Sequence, residues 1–178
     1  MFHSNTELLI DYWRGRRGER TVPARADIDP SGFPRLAPAV FIAAREGGDV
    51  RVRLAGEAMI EWHGRRLAGE SLTGFWRRDH RGRLTALLGA ALAAGQPLVV
   101  TAASVTEEAL PARLEILFAP LTGPGGVADR FLGLYQPVSR MSLGRLGELV
   151  IAAVNGAPTA DTALPALRLA ALDGRRIA

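Results

Sequence analysis

The sequence predicts an α+β domain: one five-stranded antiparallel sheet with its helices gathered over one face. Three observations carry that prediction. Residues 39–54 hold two strand-like stretches that flank a Gly47-Gly48-Asp49 hairpin turn. Residues 98–138 hold three more, the last two separated by Gly123-Pro124-Gly125-Gly126. Helical patterning lies between the two groups, so hairpin-linked strands flank a helical crossover instead of alternating with helices one by one.

Residues 6–14 open the fold as a short helix. Asn5 or Thr6 can cap it, Glu7 and Asp11 lie near its positive end, and Gly15 and Gly18 stop it. Leu8, Leu9, Tyr12 and Trp13 fall on one stripe. So short a helix is not stable alone. Residues 1–21 are therefore expected to cap the sheet or pair with a second copy, with those four residues as the dimer or sheet-capping surface. Residues 22–38 form a proline-marked connector, in which Asp29-Pro30-Ser31-Gly32 has turn and helix-start chemistry and Asp27 reads as a cap or ion-pair partner.

Strands are expected at 39–45 and 50–54. On the second, Arg51 and Arg53 alternate with Val50, Val52 and Leu54 and project from the opposite face, which makes Arg53 a candidate anchor at the mouth of a cup. A break at Ala55-Gly56, a short helix at 57–63 and a glycine-punctuated segment to Trp76 follow. A strand running into short helical turns builds a cup over one sheet face. Residues 81–94 form a longer helix, with Leu84, Leu87, Leu88, Ala91 and Leu92 on one side and Gly95-Gln96-Pro97 as its stop. Strands at 98–106, 113–121 and 130–138 complete the sheet.

The main domain is thus expected to span 22–140, with 141–178 as an appendage. There, Leu143, Leu146, Leu149, Val150, Ala153 and Val154 recur at helical spacing and predict a second amphipathic helix, closed by Asn155-Gly156. A small-residue linker follows at 157–162, then an apolar stretch at 164–172 suited to docking in cis or on another subunit.

Composition excludes several chemistries. The 178 residues are 48% hydrophobic and 22% charged, enough for a core of ordinary globular character. No apolar run approaches the roughly 20 residues of a membrane span, and residues 1–7 lack the apolar centre of a secretion signal, so a cytoplasmic protein is expected. With no cysteine there are no disulfides, thiolate metal sites or flavin–cysteinyl photochemistry. All 22 basic residues are arginine, which removes Schiff-base and phosphate-loop lysines. The arginine patches at 14–20 and 65–83 are interrupted by Glu19, Glu70 and Asp79. They read as solvated surface with local ion pairs, not as a nucleic-acid face.

Several motifs in order carry a resemblance. These are the Trp13 helix, Arg25-Ala26-Asp27-Ile28-Asp29-Pro30, Arg51-Val52-Arg53-Leu54-Ala55-Gly56, and Gly64-Arg65-Arg66-Leu67-Ala68-Gly69 with Leu72 and Trp76. Over about residues 5–140 the chain resembles a PAS domain, and in particular a family of short, stand-alone bacterial PAS proteins. The resemblance implies a sensory or protein-interaction module without catalytic residues of its own. It also implies a cup between sheet and helices that holds haem, flavin, a small acid or nothing, and dimerisation through the N-terminal helix. On this basis a homodimer with an unidentified signalling partner is expected.

Within that frame Trp62, Leu72, Trp76 and Leu88 are the expected cup lining. The two indoles fill the core or stack on a planar ligand. His80 is the position a haem ligand would occupy, although Asp79 and Arg81 beside it favour an exposed helix cap. His63, next to Gly64, reads as a histidine at a helix C-terminus. Tyr135 points either into the cup or outward against the Trp13 helix. The three histidines are too scattered for a metal site. No nucleophile elbow, phosphate loop or dinucleotide fingerprint occurs, so no enzyme activity is expected.

Overall fold

The computed structural model describes residues 2–105, 112–139 and 146–155. They form three α-helices and one six-stranded antiparallel sheet. In chain order these are α1 (Ser4–Arg17), β1 (Val40–Glu46), β2 (Asp49–Ala55), α2 (Glu57–His63), α3 (Arg78–Ala94), β3 (Leu98–Val105), β4 (Ala112–Thr122), β5 (Ala128–Pro137) and β6 (Glu148–Asn155). The strand order is β2-β1-β5-β4-β3-β6.

Strand alternation sorts the core into two layers. Phe41, Val52, Leu114, Ile116, Phe118, Phe131 and Tyr135 face α2 and α3, where they meet Trp76, Leu84 and Leu88. Val40, Ile42, Leu117, Leu132 and Leu134 face the other way and bury Leu9, Ile10 and Trp13 of α1 together with Val22, Ile28, Phe33 and Leu36 of the connector. The helices therefore cover both faces, not one. A sheet needs two apolar covers when both alternating rows are apolar, as they are on β4 and β5. Gly133 on β5 lies where the Phe41 ring crosses the strand, and a Cβ there would collide with that ring.

Helix α1 is held by more than its apolar stripe. The His3 imidazole, not Asn5 or Thr6, caps it, accepting from the Asn5 N–H at 3.2 Å. The Glu115 carboxylate on β4 accepts from the His3 N–H and from the Thr6 hydroxyl, both at 2.9 Å. Gly15 lies inside the helix, and Gly18, at φ 57°, ends it. The Trp13 indole N–H donates to the Pro120 carbonyl at 2.7 Å.

The expected C-terminal helix is a strand. β6 pairs antiparallel with β3 and makes the sheet six-stranded, while residues 143–145, 157–162 and 164–172 lie outside the described residues. The edge of β3 offers a row of backbone partners, and Val150, Ile151 and Val154 are β-branched residues that suit a strand. Leu149 and Ile151 enter the α3-side core at 0% and 7% exposure.

The two free edges of the sheet are both occupied by one segment, residues 69–77. At the β2 edge, the Gly69 N–H donates to the Val52 carbonyl, the Val52 N–H to Glu70, and the Leu72 N–H to Val50. At the β6 edge, Trp76 lies beside Leu149, and the Arg77 N–H donates to the Leu149 carbonyl at 2.9 Å. The segment is a strap across the α3-side face.

Candidate functional site

The site is built where the strap passes the end of α2. Gly64, left-handed at φ 64°, closes that helix by donating its N–H to the Glu61 and Ile60 carbonyls. The turn leaves the preceding His63 ring over the sheet, 4.7 Å from the Phe75 ring and 5.9 Å from that of Tyr135. Phe75 ends a 3-10 turn (Thr73–Phe75) that Ser71 supports by accepting the Gly74 N–H, while the Ser71 hydroxyl donates to Asp49 on β2 at 2.8 Å. Leu146, Gly147 and Glu148 close the far side: the Leu146 N–H donates to the Trp62 carbonyl at 3.0 Å and the Gly147 N–H to the Ser104 hydroxyl at 2.9 Å. His63, Arg65, Gly74, Phe75 and residues 146–148 line an open cavity of about 200 Å³ at the mouth of the cup.

Its electrostatics are unusual for an apolar core. The His63 Nε2, the Trp76 indole nitrogen and the Tyr135 hydroxyl are buried and have no hydrogen-bond partner among the described residues. Buried polar side-chain atoms are normally satisfied, and each one left unpaired costs about 1–3 kcal/mol. Burial pushes the His63 imidazole down to about 4 from an ordinary 6.5, the Arg65 cation adds to this, and Glu70 opposes it. His63 is thus neutral near pH 7. Burial raises the Tyr135 phenol, which stays a donor. At the lip, the Arg65 guanidinium stands 5.6 Å over the Phe75 ring and bonds Glu70 at 2.6 Å. Of the three unpartnered groups, His63 lines the cavity, with the Arg65 cation beside it, while Trp76 and Tyr135 lie in the α3-side core. A neutral imidazole and a cation at its wall can bind a small polar molecule that accepts hydrogen bonds.

The residues expected from sequence divide into three groups. Leu72, Trp76 and Leu88 lie in the α3-side core at 0–1% exposure, and Trp62 packs partly buried against them. Arg53 is not brought to the cup. It is exposed on edge strand β2, at the bulge between the Ile42–Leu54 and Ala43–Val52 pairs, and it pairs with Glu46. His80 is also outside: its Nδ1 accepts from the Ile151 N–H at 3.2 Å and its Nε2 lies 3.2 Å from Arg77. Leu9 and Trp13 are buried against the chain's own sheet, whereas Leu8 is 50% exposed and Tyr12 bonds the Asp29 backbone. Asp27 accepts from Arg20 at 2.6 Å and from the Ala24 N–H, which hold its carboxyl below the usual range.

His63, Arg65, Phe75 and Glu148 were not singled out as site residues. A histidine just before the glycine that ends a short helix was the one available signal, because that turn sets where its ring goes.

The larger cofactors do not fit these residues. His80, with one ring nitrogen bonded to β6 and the other against an arginine, is not available to iron. The face that would hold a flavin is filled by Phe41, Phe118, Phe131, Tyr135 and Trp76, none more than 1% exposed. A cavity of about 200 Å³ is also below the ~300 Å³ at which drug-sized ligand sites begin. Among the described residues no group of three or more histidine, cysteine or acidic side chains could hold a metal ion, and no helix is long and apolar enough to cross a membrane.

A family model described as "PAS domain" matches residues 1–136. No curated protein matches the chain. Among solved structures, the chain is similar to the Rhodobacter sphaeroides LOV protein, at 20% identity over 64% of this chain and 70% of that one, with a TM-score of 0.47. It is similar to a light-oxygen-voltage domain studied with a flavin analogue, at 14% identity over 62% and 84%, TM-score 0.48. An RNA-binding light-oxygen-voltage receptor is similar at 16% identity over 65% of this chain and 35% of that one, TM-score 0.45.

Proposed function

The chain belongs to the PAS domain family, whose members generally serve as sensory modules, and from that premise we propose that it is a non-catalytic sensor. A small hydrogen-bond-accepting molecule enters the mouth of the cup, and the protein changes its contacts with protein partners in response. The observation that carries this reading is the set of three unpartnered polar atoms on the α3 side of the sheet, on His63 at the cavity wall and on Trp76 and Tyr135 in the apolar core. A ligand that satisfies them stabilises one arrangement of the strap, and it acts only through its different affinity for the two arrangements. The strap is suited to pass this on because Trp76 lies both in the cup and at the β6 edge.

The output is proposed to be a homodimer or a complex with a signalling protein, reached through the outer side of α1. Leu8 is the exposed apolar residue there, since Leu9 and Trp13 are committed to the sheet. A dimer in light scattering that becomes a monomer in Leu8→Asp supports this surface; a monomeric wild type removes it.

Native mass spectrometry of freshly purified protein, set beside a denatured sample, tests the ligand. The expected result is extra mass that disappears on denaturation and in Tyr135→Phe. Bare wild-type protein would remove the ligand and leave a partner-binding scaffold.

A further inference from the structure

The opposite face of the sheet carries a second cavity, of about 450 Å³, unconnected with the cup reading. It lies where the connector meets the β4–β5 hairpin and is lined by Ala24, Arg25, Ala26, Thr122, Gly123, Pro124 and Arg130. Arg130 is on the α1 side of β5, since its neighbour Phe131 belongs to the α3-side core and Leu132 to the α1-side core. The connector is fastened at this point: the Thr122 N–H donates to the Pro23 carbonyl at 3.0 Å, and Ala24 pairs with Thr122.

The cavity is lined by two arginines, one without an ion pair among the described residues and one with a long pair to its neighbour. Arg25 is in no ion pair among the described residues; its one contact is a long hydrogen bond, 3.4 Å, from Nη1 to the Ile28 carbonyl. Of the two connector carboxylates, Asp27 is taken by Arg20 and Asp29 accepts from Ser31. The Arg130 Nε lies 3.4 Å from the Asp129 carboxylate, close enough for attraction but without the alignment of a hydrogen bond, and both atoms are buried and unpartnered. The Nη atoms of Arg130 have no partner among the described residues. The rest of the wall is made of small residues: Ala24, Ala26, Thr122, Gly123 and Pro124. Guanidinium groups recognise carboxylates in paired, planar contacts, and an apolar wall beside them favours a ligand with an apolar body.

We propose that this cavity binds a small organic acid, its carboxylate held between Arg25 and Arg130 and its apolar part against Ala24, Ala26 and Pro124. Such a ligand would link the connector to the hairpin and so restrain the path from α1 to β1. Gly123 supports the assignment. A Cβ there would lie 2.5 Å from the Asp129 Oδ1 and 2.9 Å from the Arg130 Nε, so the bare glycine is what lets the Arg130 head sit against the hairpin.

Sodium benzoate, titrated into the full chain and followed by amide chemical shifts, tests the proposal, with inorganic phosphate as the comparison. The expected result is saturable shifts at Ala24, Ala26 and Gly123, with affinity weakened about tenfold or more in Arg25→Gln and in Arg130→Gln. Gly123→Ala keeps both charges and displaces the Arg130 head, and is expected to weaken benzoate similarly; it serves if Arg130→Gln does not fold. No saturable shift, unchanged affinity in the variants, or shifts at His63 and Phe75 instead would overturn the site. Phosphate binding as tightly as benzoate would overturn the organic-acid class.

Discussion

His63 gives the molecule a pH response between its ordinary and its folded value. Its folded value, about 4, lies below its ordinary 6.5, so the unfolded chain takes up the proton first as the pH falls. The stability held at neutral pH is therefore lost as pH drops from 6.5 towards 4, by on the order of 3 kcal/mol for a separation of that size. Urea unfolding at a series of pH values should show this loss in wild type and a flatter profile in His63→Gln; equal profiles would contradict the burial of the ring. Tyr135 allows a simpler test. Its hydroxyl is buried without a partner, so Tyr135→Phe in ligand-free protein should be neutral or stabilising by about 1 kcal/mol, whereas a hydroxyl already bonded would cost that much to remove. Little of this was legible in the sequence. A helix-ending histidine and a strand tyrosine show their residue types, but their approach to 5.9 Å is a product of the tertiary fold.

At the scale of elements, the strands of the hairpins and the long helix could be read from periodicity because each has one strongly apolar face. α1 was legible as a helix, and its partner was not, since a stripe of Leu9 and Trp13 fits a sheet or a second copy equally well. The structure puts the indole under the Pro120 carbonyl. Trp13→Ala should therefore lower stability by about 3–5 kcal/mol, measured by chemical denaturation, whatever the protein's mass in solution. A change in mass without that loss of stability would place Trp13 at a dimer contact. β6 departs from the helix its periodicity predicts for a physical reason. Leu146, Leu149, Val150 and Val154 satisfy a helical period, but the open edge of β3 and the β-branched side chains decide for a strand, and no local pattern reports an open edge.

For the whole molecule, the central claim is that residues 69–77 tie the β2 and β6 edges into one unit that passes beneath the cup. The paired glycines at 64 and 69 marked this stretch as organised around turns. That it reaches both edges rests on backbone contacts to Val50, Val52 and Leu149, which no local pattern reports. If the strap is a single unit, the Val52, Leu72 and Arg77 amides should open together, because each donates across a strap-to-edge contact. Native-state hydrogen exchange measures this directly. The account predicts one shared opening free energy for the three amides, lowered together in Trp76→Leu; separate opening energies, with Val52 and Leu72 unaffected by that substitution, would contradict it.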